Sequence, residues 1–260
     1  MARTHLITGA ASGIGLATRT LLQERGDTVI GVDLHDADIV ADLGTADGRA
    51  ALVDDARRLS GGHIDAIHAV AGLALPIAAT VAINYFGTVA TLDGLRPLLA
   101  GSAAPRAVAV ASMASILPSD DTLVGLLSAG DEAGAMAYAD SLAQDPATTG
   151  QLIYSSTKKA LAQWIRRAAP TPEWAGAGIP LNAVAPGIID TPMVADYVAT
   201  AEAREAILQL VPMPLNGIAE PEVVARLLAW LTSEENTHLC GQVVFVDGGS
   251  DAVIRGDATW

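Results

Sequence analysis

Cysteine is almost absent: Cys240 stands alone in a chain of 260 residues, which excludes an internal disulfide framework and a thiolate metal cluster. The five histidines, His5, His35, His63, His68 and His238, show no ligand spacing and read as ordinary surface or core side chains, so no metal is expected. Positive charge is also scarce. Fifteen Lys and Arg face 29 Asp and Glu, for a formal charge of −14, and the basic residues are scattered apart from pairs such as Arg57-Arg58 and Arg166-Arg167. Such a surface repels phosphate backbones, so nucleic acid is excluded as a partner. No apolar run approaches the ~20 residues of a membrane span. The start, "MARTHLITGA", has one basic residue and too short an apolar run for a signal peptide. The expectation is a cytoplasmic protein with no membrane partner.

What the chain does have is apolar residues, 51% of the total, enough to bury one large core in a single domain spanning 1–260. Short β-branched runs at 4–8, 28–33, 64–70, 107–112, 179–185 and 243–247 read as strands. They are almost continuously apolar rather than alternating, as strands are when helices cover both faces of a parallel sheet. Amphipathic stretches at 14–25, 46–59, 153–168 and 220–232 lie between them, the last opened by Pro221 at a helix start. Strand and helix alternating along one chain predict an α/β fold, a Rossmann-type doubly wound parallel sheet with helices on both faces.

The first strand runs directly into "TGAASGIG". Gly9, Gly13 and Gly15 stand where the chain must turn from strand to helix, and glycine there lets backbone N–H groups approach a pyrophosphate at the positive end of the helix. The second strand ends at Asp33, 24 residues after Gly9, where a carboxylate accepts hydrogen bonds from an adenosine ribose and repels a 2′-phosphate. NAD is therefore expected over NADP. Of the four tyrosines, Tyr85, Tyr138 and Tyr197 are followed four residues later by Val89, Leu142 and Ala201, and only Tyr154 by a lysine, Lys158. On a helix the two project from adjacent turns. A phenol has a pKa near ~10, and a nearby ammonium favours its phenolate, which makes a tunable general acid/base. Each motif alone has a bland alternative: a tight turn, a strand terminus, a solvated helix face.

Together they resemble the short-chain dehydrogenase/reductase family over essentially the whole chain. "TGAASGIG" is similar to its glycine turn, "NYFG" from Asn84 to its Asn-bearing helix, "VASMAS" to its serine strand, "YSSTK" to its Tyr-x-x-x-Lys helix, and "NAVAPGIIDTPM" and "VDGG" to its later segments. The resemblance implies hydride exchange between NAD(P) and an alcohol or ketone. Tyr154 would be the acid/base, Lys158 would lower its pKa and hold the nicotinamide ribose, Ser112 would polarise the substrate oxygen, and Asn84 would steady a proton-relay water. It carries cofactor contacts onto Gly9, Ser12, Gly13, Ile14 and Gly15, onto Asp33, Asp42 and Leu43 at the adenosine, and onto Ala71, Gly72, Tyr154, Lys158, Pro186, Gly187, Ile189 and Thr191. An epimerase or dehydratase, or a non-catalytic NAD-binding protein, remains an alternative on the same fold.

The departures matter. Val70-Ala71-Gly72 replaces the family's Asn-Ala-Gly, and Ser112 and Tyr154 stand 42 positions apart, many more than is usual. The segment 113–153 reads as a helical insertion near the active site, since its apolar residues recur at helical spacing. With "DGGSDAV" near the end, this most resembles the bacterial 3α-hydroxysteroid dehydrogenase/carbonyl reductase branch, implying an apolar alcohol or ketone substrate of steroid- or terpenoid-like cyclic skeleton. Leu123, Leu126, Leu127, Met136 and Tyr138 are candidates for the substrate wall, alongside the stretch after Pro192; a cap without substrate contact is the alternative. Family tetramers pack the Asn and Tyr helices of one subunit against those of another. The insertion should obstruct that packing, so a homodimer through another face is expected, with the homotetramer as the alternative.

Overall fold

The computed structural model describes residues 2–258; Met1, Thr259 and Trp260, at the ends of the expected domain, and the side chain of Tyr197 lie outside the described residues. The strands are β1 (Thr4–Thr8), β2 (Thr28–Asp33), β3 (Ile39–Val40), β4 (Ala66–Ala69), β5 (Arg106–Val110), β6 (Leu181–Pro186) and β7 (Val243–Val246). They form one parallel sheet in the order β3-β2-β1-β4-β5-β6-β7. The chain steps outward from β1 to β3 and then returns to place β4 on the other side of β1, so a crevice opens beyond the carboxyl ends of β1 and β4. Leu6, Ile7, Ile67, Val108 and Val184 are fully buried between the sheet and its helices, each stabilising the fold by about 1.5–3 kcal/mol.

The helices are α1 (Gly13–Glu24), α2 (Ala46–Leu59), α3 (Ala78–Val81), α4 (Thr88–Leu95), α5 (Asp121–Ala129), α6 (Glu132–Leu142), α7 (Gln151–Ala168), α8 (Ala201–Leu210), α9 (Pro221–Leu231) and α10 (Ser250–Arg255). A π-helical turn, Ala82–Gly87, joins α3 to α4. The two-residue β3, α8 and α10 were not expected. The first is too short for a periodicity, and α8 has no fully buried side chain, only Ile207 and Leu208 packed partly buried against Ile188, Val198 and Met213. Strand β5 ends at Val110, so Ser112 lies just past it and caps a 3-10 turn, Met113–Ile116, by accepting from the Ala114 N–H at 3.1 Å. No helix among the described residues is long and apolar enough to cross a membrane.

Residues 113–153 contain α5 and α6, each opened by an aspartate: Asp120 accepts from the Leu123 N–H and Asp131 from the Gly134 N–H. Helix α5 packs on α7, and α6 on α3. The five side chains expected at a substrate wall go elsewhere. Leu123 and Leu127 are fully buried in the main core, and Leu126, Met136 and Tyr138 pack against it. The apolar spacing was core spacing.

The central strands also bring together a pair that spacing did not reveal. His5 of β1 and His68 of β4 are 1% and 0% exposed, with His5 Nδ1 3.0 Å from His68 Nε2. One ring must donate and the other accept, so the contact needs neutral imidazole. Burial holds His5 at about 4 despite nearby Asp27, and burial together with His5 and Arg3 holds His68 well below its ordinary value. Both folded values lie below those of the unfolded chain, so the unfolded state takes up protons first as the pH falls. Stability should therefore drop between pH ~6.5 and ~4, on the order of 2–3 kcal/mol from His5 alone. Urea midpoints measured across that window should fall, and a His5→Leu, His68→Leu double variant should show a flatter profile; an unchanged slope in the variant would reject the assignment.

Candidate active site

The glycine turn is built by backbone demands. Gly9 and Gly13 have φ of +71° and +49°, in the left-handed region that favours glycine, and a side chain on Gly15 would overlap the Gly9 carbonyl. A side chain on Gly9 would stand 3.0 Å from the backbone of Ala71, so the ends of β1 and β4 touch. Ser12, at the N-cap of α1, makes no side-chain cap bond, and the first-turn N–H groups of this twelve-residue helix are left for an anion. These features fit a dinucleotide pyrophosphate.

Two adjoining clefts share Gly9, Ser12, Ala71 and Gly72. The first also holds Gly13, Ile14 and Gly15 on one wall, Pro186, Gly187, Ile189 and Thr191 on another, and Ser112, Tyr154 and Lys158 at its end. The second holds Asp33, Asp42 and Leu43. Asp33 accepts from the Ala11 N–H at 2.9 Å through Oδ2 and from the Leu34 N–H at 2.7 Å through Oδ1, which orients its carboxylate at the cleft edge. Asp42 closes its own loop by accepting from the Gly44 N–H at 2.8 Å.

Helix α7 presents Tyr154 and Lys158 one turn apart, the Lys158 nitrogen 5.7 Å from the centroid of the phenol ring. Lys158 is 3% exposed and donates to the Val110 carbonyl at 2.9 Å. Burial lowers it from 10.5 to about 8. The phenol is raised by burial, opposed by a hydrogen bond with Ser112. In the protein alone, then, desolvation outweighs the lowering expected from the ammonium, because the same burial acts on both partners.

Asn84 lines neither cleft. It is fully buried in the π-helical turn, and its amide is spent on the neighbouring loop: Oδ1 accepts from the Leu73 N–H at 2.7 Å, while Nδ2 donates to the Leu73 carbonyl at 2.8 Å and to Thr157 Oγ1 at 3.3 Å. It thus pins the loop carrying Gly72, where a Cβ would stand 3.6 Å from the Lys158 nitrogen. The Val70 departure is also explained. Thr8 Oγ1 accepts from the Val70 and Ala71 N–H groups at 3.0 and 3.1 Å, and the Val70 side chain joins an apolar cluster with Val110 and Ile14.

Several lining residues were missed. Val70, Val110 and Ala111 lie at or just past the carboxyl ends of β4 and β5, and Ile83 and Leu73 border the second cleft. The strand ends were findable from the parallel-sheet rule; Ile83 had no signal beyond its place beside Asn84. The 3-10 turn Pro192–Tyr197 contributes Pro192, Met193 and Val194 to the first cleft, where the stretch after Pro192 was expected.

A glycine cradle at a topological switch point that runs without interruption into buried Lys158 and Ser112 with half-buried Tyr154 is the layout of a Rossmann-type oxidoreductase. The family described as Enoyl-(Acyl carrier protein) reductase matches residues 121–251. The 3-alpha-hydroxysteroid dehydrogenase/carbonyl reductase of Comamonas testosteroni is 35% identical over 255 residues, covering 96% of this chain and 97% of that one. The cis-4-hydroxycyclohexanecarboxylate dehydrogenase of Sinomonas cyclohexanicum is 34% identical over 269 residues, again covering 96% and 97%. The crystal structure of the 3-alpha-hydroxysteroid dehydrogenase from Pseudomonas sp. B-0831, complexed with NADH, superposes with a TM-score of 0.88 at 38% identity, over 98% of this chain and 99% of that one. The chain belongs to the short-chain dehydrogenase/reductase family.

Proposed function

We propose that this protein is an NAD-dependent oxidoreductase that interconverts a secondary alcohol and a ketone on a bulky, apolar, cyclic substrate. The observation that carries the reading is the convergence of Tyr154, Lys158 and Ser112 at the end of the cleft that begins at the glycine turn. Gly9, Ser12, Gly13, Ile14 and Gly15 would hold the pyrophosphate, Asp33 the adenosine ribose, Asp42 and Leu43 the adenine, and Lys158 the other ribose. Ala71, Gly72, Pro186, Gly187, Ile189 and Thr191 would flank the nicotinamide half. NAD, when bound, supplies the hydride acceptor. In oxidation the alcohol O–H breaks and its proton passes to the Tyr154 phenolate, while Ser112 hydrogen-bonds the substrate oxygen; the carbinol C–H electron pair leaves as hydride and C=O forms. Asn84 acts as a positioning residue, through the loop of Gly72.

The apolar surface of Met193 and Val194 supports an apolar ring at the open end. The steroid and cyclohexane substrates named for the two relatives support a cyclic secondary alcohol in particular. A panel of cyclic secondary alcohols, read by NADH absorbance, should give turnover that rises with ring size relative to short open-chain alcohols. NADH binding with no oxidation across the panel would overturn the reading in favour of a binding protein, and conversion without net NADH would favour an epimerase or dehydratase.

Helix α5 packs on α7, which carries Tyr154, and α6 on α3 and the turn that carries Asn84, which supports the reading that the insertion obstructs pairing of the Asn and Tyr helices. We therefore expect a homodimer through another face. Light scattering that gives a homotetramer built on the usual pairing of helices would reject this.

A further inference from the structure

The inserted helices make a contact far from the substrate end of the cleft. Glu132, in the first turn of α6, forms a two-pronged ion pair with Arg49 of α2: Arg49 Nη1 donates to Oε2 at 3.1 Å and Nη2 donates to Oε1. The same guanidinium donates through Nε to the Thr45 carbonyl at 3.0 Å, and the Arg49 side chain is only 12% exposed. Thr45 is the N-cap of α2, accepting from the Gly48 N–H at 3.0 Å. Its own N–H and hydroxyl donate to the Asp42 carbonyl at 3.1 and 3.0 Å. A continuous set of hydrogen bonds thus runs from the insertion to Asp42, whose loop lines the second cleft beside Leu43. Helix α6 also packs on the π-helical turn, which carries Ile83 beside the Asp42 loop: a Cβ on Gly44 would stand 3.5 Å from Ile83 Cγ1. The insertion thus reaches the adenosine end through two sets of contacts.

We propose that the insertion serves the cofactor rather than the substrate: Glu132, acting through Arg49, is a positioning residue for the adenosine-binding loop of Asp42 and Leu43. This rests on the reading that an adenosine occupies the second cleft. An exposed ion pair would carry little. This one is bidentate on a guanidinium that is mostly shielded from water, so neutralising Glu132 leaves buried donors short of a partner and frees Arg49 to pull away from Thr45.

The test separates the two halves of the dinucleotide. In Glu132→Gln, the dissociation constants for NADH and for ADP-ribose, measured by calorimetry, should rise about three- to tenfold. Reduced nicotinamide mononucleotide, which lacks the adenosine, should bind as before, and kcat at saturating NADH should not change. Arg49→Lys, which keeps the charge but loses the fork, should weaken ADP-ribose in the same direction. The Glu132→Ala, Arg49→Ala double variant should bind ADP-ribose no worse than Arg49→Ala alone, since Glu132 acts only through the guanidinium. Unchanged ADP-ribose affinity in these variants, with the unmodified protein binding NADH normally, would overturn this inference alone, as would equal weakening of both half-ligands. Failure of the unmodified protein to bind NADH and ADP-ribose would overturn the functional reading and this inference with it.

Discussion

Tyr154→Phe should lower kcat for alcohol oxidation by about 10³-fold while leaving the NADH dissociation constant nearly unchanged. The phenol stands at the substrate end of the first cleft, well away from the Asp33 and Asp42 wall, so removing one oxygen subtracts the proton acceptor and little else. Phenylalanine keeps the packing of the ring. The pH profile sharpens the assignment. Burial raises the phenol, so oxidation should climb with pH as the phenolate fraction grows. The ammonium of Lys158 attracts that phenolate by roughly 2–3 kcal/mol at an effective dielectric near 20, but only while it is protonated. Because burial holds Lys158 at about 8, the climb should flatten above that pH as the supporting charge is lost. Lys158→Ala should damage both turnover and cofactor affinity. A Phe variant with a near-normal rate, or a profile that rises without flattening, would reject the proton-transfer role of this pair.

Replacing the carboxylate of Asp33 should change cofactor choice. The unmodified protein should favour NAD over NADP by about 10²-fold or more in kcat/KM, since placing a 2′-phosphate against a carboxylate costs several kcal/mol. Among the described residues no Lys or Arg lines the second cleft, and Asp42 adds a further carboxylate. Arg19, which lies beside Gly31 of β2, is engaged with Asp38 at 3.2 Å. Asp33→Ala should narrow the preference to about tenfold or less by two routes. It removes the repulsion, and it releases the Ala11 and Leu34 N–H groups that Asp33 now occupies, giving a phosphate two donors. Affinity for NAD should fall at the same time, because the ribose hydroxyls lose their acceptor. Steady-state kinetics with both cofactors would decide; equal use of NAD and NADP by the unmodified protein would sink the argument.

The sequence by itself determined what depends on neighbours along the chain. The glycine turn was legible because only a residue without Cβ tolerates the backbone at Gly9 and Gly15, and the facing of Tyr154 and Lys158 follows from the helical repeat alone. Strands β1 and β2 and helix α2 fall at the expected boundaries, since continuous apolar runs and a 3.6-residue period are local signals. Only the tertiary structure decided where equally apolar side chains end up. Leu123 and Leu127 have the same helical spacing whether they face a substrate or the core, and the packing of α5 on α7 selects the core. His5 and His68 are 63 positions apart and meet only because β4 returns to lie beside β1. The Asn84 amide turns to Leu73 and Thr157, and Glu132 reaches Arg49 across 83 positions. Such contacts carry no period and no local propensity. They exist where the chain's return path brings distant polar groups out of water together, and burial then obliges each to find a partner.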